Sequence, residues 1–189
     1  MKDINATIMV DLNRSEEEIF RSIQKDTRWG IKKAMKEGIK IKKVTKDEEW
    51  NEFYEVYLST VKRNKMRIRS LDYIKNNADI MFLALYKNKI IAAQSLIWGD
   101  EISKKHTRLL LNASLLEYQK YYPNNLLYWT AILHSKSLGY EKCNLGGWQI
   151  NAKGNIEGVN KFKEKWGEKV YFYKDYPILK AIGRKLVRN

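Results

Sequence analysis

A single cysteine, two prolines and two histidines in 189 residues remove several function classes at the outset. Cys143 alone cannot close an internal disulfide, which argues against a small secreted scaffold held by bridges. His106 and His134 lie far apart and one thiol cannot complete a set with them, so no metal-ligand spacing is present. The longest apolar patches are broken by Lys, Asn or Gln and fall short of a bilayer span. No basic head, apolar stretch and small-residue cleavage site open the chain, so a soluble cytoplasmic protein is expected. A P-loop, a G-x-G-x-x-G fingerprint and a serine nucleophile elbow are all missing. Internal repeats and low-complexity linkers are missing too, and a single domain over residues 1–189 is the expectation.

What the chain has in excess is positive charge. Its 36 Lys and Arg face 22 Asp and Glu, for a formal net charge of +14. A surface of that kind draws polyanions: nucleic acid, a phosphate-rich cofactor or an anionic membrane face. Charge alone does not choose among them, and enrichment in Lys, Ile and Asn together is also what a base-composition bias produces. The hydrophobic content of 44% is enough for one core at this length without staples.

Periodicity and punctuation give the element order. "ATIMVDL" alternates as a short strand, and Ser15 with Glu18 has capping-box spacing ahead of a helix. "KDTRWGIKKAMKEG" reads as a helix closed by Gly38, with Lys25, Arg28, Lys32 and Lys36 on one side. "IKIKKV" alternates as a strand, and Thr45 with Glu48 predicts a second capping box. The helix that follows places Trp50, Phe53, Tyr54, Tyr57, Leu58 and Val61 on one stripe facing a core. After the basic stretch "KRNKMRIR", a short helix leads to "IMFLALY" and "IIAAQSLIW", joined by a polar turn at Lys87, Asn88 and Lys89. Gly99 and Asp100 turn the chain into "EISKKHTRLLLNAS", completing an antiparallel meander. A helix opens at Asn124 or Asn125 and closes at Gly139, "YEKCNL" is a strand, and a helix, strand and helix finish the chain over "EGVNKFKEKWG", "EKVYFYKDY" and "ILKAIGRKLVRN". The expected class is α/β, a mixed sheet with helices on both faces, which carries no function by itself.

The segments "TIMVDLNRSEEEIFRSIQKDTRWGIKKAMKEGIKI", "FLALYKNKIIAAQSLIW", "YYPNNLLYWTAILHSKSLGYEKCNLGG" and "NKFKEKWG" together resemble the Fem family, in this order and over almost the whole chain. These are peptidoglycan-bridge aminoacyl transferases whose domains have the N-acetyltransferase (GNAT) fold. Bridge-forming members are about twice as long, with two such domains, and this chain resembles the second, preceded by a strand–helix–helix lead-in over residues 1–45. The resemblance implies a sheet that splays between "RLLLNAS" and "YEKCNLGG", where acyl donor and amine acceptor meet. It implies no bound cofactor. The donor is aminoacyl-tRNA or, as in most GNAT enzymes, acyl-coenzyme A. The partners implied are tRNA and an amine-bearing acceptor, a peptidoglycan precursor or something smaller, and the charge adds a peripheral membrane contact.

Site residues follow from the same resemblance. Phe162, Lys163 and Gly167 match a Fem-like F-K-x-x-[FW]-G pattern, and Lys163 is expected to meet the donor's phosphates or its esterified end; the plainer reading makes Phe162 and Trp166 core contacts and Lys163 a solvated charge. Gly146 and Gly147 are expected to end the second splayed strand, where the lack of side chains lets a substrate approach. Trp148, like Trp29, is placed to stack on a base or adenine, or simply to pack. The backbone at Asn124 and Asn125 is a candidate phosphate cradle at a helix start, against the alternative of a plain cap. Coenzyme-A-using GNAT proteins carry [RQ]-x-x-G-x-[GA] in this loop and this chain does not, which disfavours that donor. Arg28, Lys32 and Lys33 lie in a T-R-x-x-I-[RK]-[RK]-A pattern and are expected to contact acceptor phosphate or tRNA backbone, or to form a solvated basic face. An amine attacking an already activated carbonyl needs positioning and oxyanion stabilisation more than a strong base, and sequence does not rank Asp100, Glu101, Glu117 or Tyr118 for that role. A non-catalytic basic RNA-binding domain of the same fold is the alternative from another class.

Overall fold

A computed structural model describes residues 4–100 and 102–173. Glu101 and the expected C-terminal helix lie outside the described residues. Strand β1 (Ile4–Asp11) is followed by helix α1 (Glu16–Ser22), whose capping box forms as its spacing implies: Glu18 N–H donates to Ser15 Oγ at 3.2 Å and Ser15 N–H donates to Glu18 Oε2 at 2.8 Å. Helix α2 (Lys25–Lys36) ends where expected. Gly38 takes φ +79°, its N–H bonds to Met35 O and that of Ile39 to Ala34 O, the paired bonds of a Schellman stop.

Strand β2 (Lys40–Lys43) leads to helix α3 (Asp47–Asn64), and here the expected cap moves by one residue. Glu49, not Glu48, reaches back, accepting the N–H groups of Thr45 and Lys46 at 2.9 and 3.3 Å while also pairing with Lys42. That third partner, on the preceding strand, selects the register. Helix α4 (Leu71–Asn77) then precedes strands β3 (Ile80–Tyr86) and β4 (Lys89–Trp98). Their hairpin turns on two residues, Lys87 and Asn88, both at positive φ, and Tyr86 pairs with Lys89. Strand β5 begins at His106 and ends at Ser114, later than the expected start, because Asp100 gathers the N–H groups of Ile102 and Ser103 into a turn. A 3₁₀ helix over Leu116–Tyr121 was not anticipated by the sequence pattern. Helix α5 (Pro123–Ser137) opens at the proline rather than at Asn124 or Asn125, since a first helical position needs no N–H. Strand β6 (Lys142–Trp148), helix α6 (Asn155–Glu164) and strand β7 (Glu168–Tyr173) complete the described chain.

The seven strands form one mixed sheet in the order β2-β3-β4-β5-β6-β1-β7, in which β5 and β6 are parallel and the β2/β3, β3/β4, β6/β1 and β1/β7 pairs antiparallel. The chain divides into two compact units. One takes the described residues of Met1–Gln24, Trp98–Arg108 and Ser135–Asn189; the other is Lys25–Ile97 with Leu109–His134. The lead-in is thus shared, β1 and α1 in the first unit and α2 and β2 in the second. In the first unit Ala6, Ile8, Val10, Ile19, Cys143, Leu145 and Trp166 are buried. In the second, the α3 stripe packs as its spacing implies: Phe53, Tyr57 and Val61 are buried with Ile74, Met81 and Leu83, and Trp50, Tyr54 and Leu58 pack at the edge of that cluster.

Candidate active site

In the first unit, β5 and β6 stay paired for only three residues, His106 to Arg108 against Lys142 to Asn144. Beyond Asn144, β6 bulges. Gly146 takes φ +79° and the β1 register shifts between Thr7 and Met9; Gly146 and Gly147 stand in the last three residues of β6, followed only by Trp148. The bulge is braced by a buried polar chain. Asp100 accepts from Asn144 Nδ2 at 2.9 Å and lies 3.1 Å from His106 Nδ1, while Asn144 Oδ1 accepts the N–H of Gly146 at 2.8 Å and the hydroxyl of Thr7. With the N–H groups of Ile102 and Ser103 as well, the fully buried Asp100 carboxylate is occupied as an anchor and is withdrawn from the general-base candidates.

Helix α6 carries the F-K-x-x-W-G segment to this point. It is fastened to the strand end by Asn160, which accepts the N–H of Gln149 at 3.1 Å and donates to its carbonyl at 2.6 Å. Trp166 is buried, Phe162 meets it edge-on at 5.9 Å, and Gly167 passes so close to β1 that a Cβ there would lie 2.2 Å from Met9 O. Three of the four motif residues therefore hold the helix end in place, as the plainer reading has it for Phe162 and Trp166. Lys163 differs. It is half-buried, its Nζ donates to Gly147 O at 3.0 Å, and burial, helped by the nearby Arg108 guanidinium, pushes its pKa down to about 8. Arg108, half-buried on β5, belongs to this site and was missed from the sequence. The available signal was an arginine directly ahead of three leucines within a strand, "TRLLL". Trp148 is not an open stacking platform: Lys169 Nζ sits 3.6 Å from its ring centroid and its Nε1 donates to Glu164 at 2.7 Å.

The second unit holds the remaining candidates. On α2, Arg28 is half-buried, Lys32 is exposed, and Lys33 lies 5.9 Å from the Trp29 ring and bonds Glu37 at 2.7 Å, a hydrogen bond that raises the lysine's pKa. The start of α5 offers fewer backbone donors than the expected cradle. Pro123 has no N–H, and those of Asn125 and Leu126 are donated to Tyr122 O at 3.1 and 3.5 Å. The side chains are engaged too: Asn124 donates to Ser114 Oγ and accepts from Asn112, and Asn125 donates to Thr27 O against Gly30, where a Cβ would lie 2.8 Å from its amide nitrogen. Asn124 and Asn125 thus fasten α5 within its unit. Of the other base candidates, Glu117 is exposed on the 3₁₀ helix and Tyr118 bonds Lys89 at 3.4 Å. Among the described residues no cluster of His, Cys, Asp and Glu could hold a metal ion, and no helix is long and apolar enough to cross a membrane.

Among curated proteins the chain has no match. Among solved structures it is similar to FemX (TM-score 0.73, 14% identity, covering 94% of this chain and 64% of that one) and to the C-terminal domain of a putative lysylphosphatidylglycerol synthetase from Agrobacterium fabrum (0.65, 14%, 94% and 62%). It is also similar to an aminoglycoside acetyltransferase from an uncultured soil metagenomic sample (0.51, 14%, 73% and 96%). The fold is that of the GNAT acyltransferases, and the chain spans somewhat less than two thirds of the first two structures. The FemAB family matches residues 1–93 and 80–173, and the chain belongs to that family.

Proposed function

We propose that the protein transfers an acyl group to an amine acceptor, taking an aminoacyl group from charged tRNA. The observation that carries this reading is Lys163: a half-buried cation beside Arg108, on the carbonyl of Gly147, whose charge is made costlier by burial. An ammonium so placed gains most from a group whose negative charge is fixed or develops during reaction, a phosphate or the oxyanion of an attacked ester. The acceptor amine, once neutral, attacks the ester carbonyl; a C–N bond forms, the C–O bond to the donor breaks, and the proton lost by nitrogen balances the one gained by the leaving hydroxyl. Lys163 holds the oxyanion or the adjacent phosphate through this sequence, and Arg108 adds a second positive field. Coenzyme A as donor is disfavoured by the start of α5, where a pyrophosphate would find a proline and N–H groups already donated to Tyr122 O. Arg28 and Lys32 are proposed as contacts to acceptor or tRNA phosphate in the second unit. The test is transfer from aminoacyl-tRNA to a panel of amine acceptors by wild-type protein and Lys163→Ala. A loss of about 10²–10³-fold is expected for the variant, and unchanged turnover would remove Lys163 from the mechanism.

A further inference from the structure

The eight residues "KRNKMRIR", Lys62 to Arg69, contain five cations and no acid. They do not fold into the core: residues 65–70 are all exposed. Two of them are large and apolar, Met66 at 59% and Ile68 at 61% exposure, and Tyr73 one step further on is 45% exposed. Apolar and basic side chains thus alternate along one solvent-facing segment, the mixture that an acidic, amphipathic boundary would engage on both counts. The segment is also held in shape. Lys65 stops α3 at φ 51°, Met66 N–H bonds to Val61 O at 3.0 Å, and Arg69 is clamped at both backbone groups, its N–H donating to Tyr57 Oη at 2.9 Å and its carbonyl accepting from Tyr54 Oη at 3.0 Å. The Arg69 guanidinium then lies 5.1 Å from the Tyr73 ring. Arg63 is turned inward to Ser114 O, which leaves Lys62, Lys65, Arg67 and Arg69 as the outward cations.

We infer that this segment docks the protein on an anionic phospholipid surface, with Met66 and Ile68 entering the boundary between headgroups and acyl chains and the four cations pairing with lipid phosphates. The apolar members decide between lipid and RNA. Single-stranded RNA contact draws chiefly on aromatic faces that stack on bases, whereas aliphatic tips gain most from an apolar phase. The cations add attraction specific to an acidic surface, and Tyr73 is of the amphipathic type that settles at such a boundary. This is independent of the acyl-transfer reading, since it uses none of the residues assigned to that site.

Vesicle co-sedimentation tests it directly. The wild-type chain is expected to bind phosphatidylglycerol-containing vesicles and not phosphatidylcholine alone. The paired change Met66→Ser with Ile68→Ser, on exposed positions, should weaken binding at least 10-fold with an unchanged melting temperature, and Lys65→Glu with Arg67→Glu should abolish it. Insertion is read separately with Ile68→Cys carrying an environment-sensitive dye. The native Cys143 is buried with its thiol pushed up to about 11, so labelling falls on position 68. A blue shift on anionic vesicles supports the assignment. No shift, binding indifferent to both paired variants, or a dye response to unacylated tRNA instead of vesicles overturns it.

Discussion

Lys163 shows how a single residue departs from its expected behaviour for a physical reason. A lysine charged in water at pH 7 becomes costly to charge when half-buried beside Arg108, and its pKa falls from the ordinary 10.5 to about 8. The sign follows from proton binding. Between pH 8 and 10.5 the unfolded chain holds a proton that the folded one has released, so stability rises with pH across that window, and below it the full penalty is present. Lys163→Met should therefore stabilise the protein at pH 7 by about 1–3 kcal/mol while slowing transfer as much as Lys163→Ala does, and the rise in stability above pH 8 should disappear from its thermal melts. A variant destabilised at pH 7 would show instead that Lys163 is a structural donor to Gly147. At this scale the motif residue itself was legible, because Lys163 sits inside a recognisable pattern. Arg108 and the Asp100–Asn144–Thr7 chain were not, because their roles come from partners up to 137 residues away in sequence.

Elements were legible where their signals are local. The Ser15 box, the Gly38 stop and the Lys87–Asn88 turn each depend on neighbours within a few residues, and each forms. The second helix cap moved because Lys42, on the previous strand, favours Glu49. Glu49 is held at about 2, first by that lysine and then by the N–H of Thr45. Its folded pKa lies below the ordinary 4.5, so its contribution is present above that value and is lost as pH falls from 4.5 through 2. Glu49→Gln should be less stable than wild type at neutral pH and should lose less on acidification across that window, which urea melts at stepped pH would read. The bulge of β6 at Gly146 and the approach of Gly167 to β1 were hidden for another reason: a glycine reports freedom, not which neighbour requires it. Gly167→Ala must displace Met9 O from 2.2 Å and should cost at least the upper end of the roughly 1–3 kcal/mol typical of overpacking. The same change at Gly147, where a Cβ would meet nothing within 4 Å, should be close to neutral for stability.

For the whole molecule, the net charge of +14 is the property most easily read and least specific. It predicts affinity for polyanions that falls steeply with salt, whichever polyanion is offered. Family membership narrows this to a FemAB chain of the GNAT fold that spans 64% of FemX. What distinguishes a transferase from a basic shell is recognition of the activated end of its donor. Binding of aminoacylated and uncharged tRNA at physiological salt, with coenzyme A as competitor, tests this most directly. The expected result is tighter binding of the aminoacylated form, no displacement by coenzyme A, and loss of the preference in Lys163→Ala. Equal binding of the two forms, or displacement by coenzyme A, would contradict it.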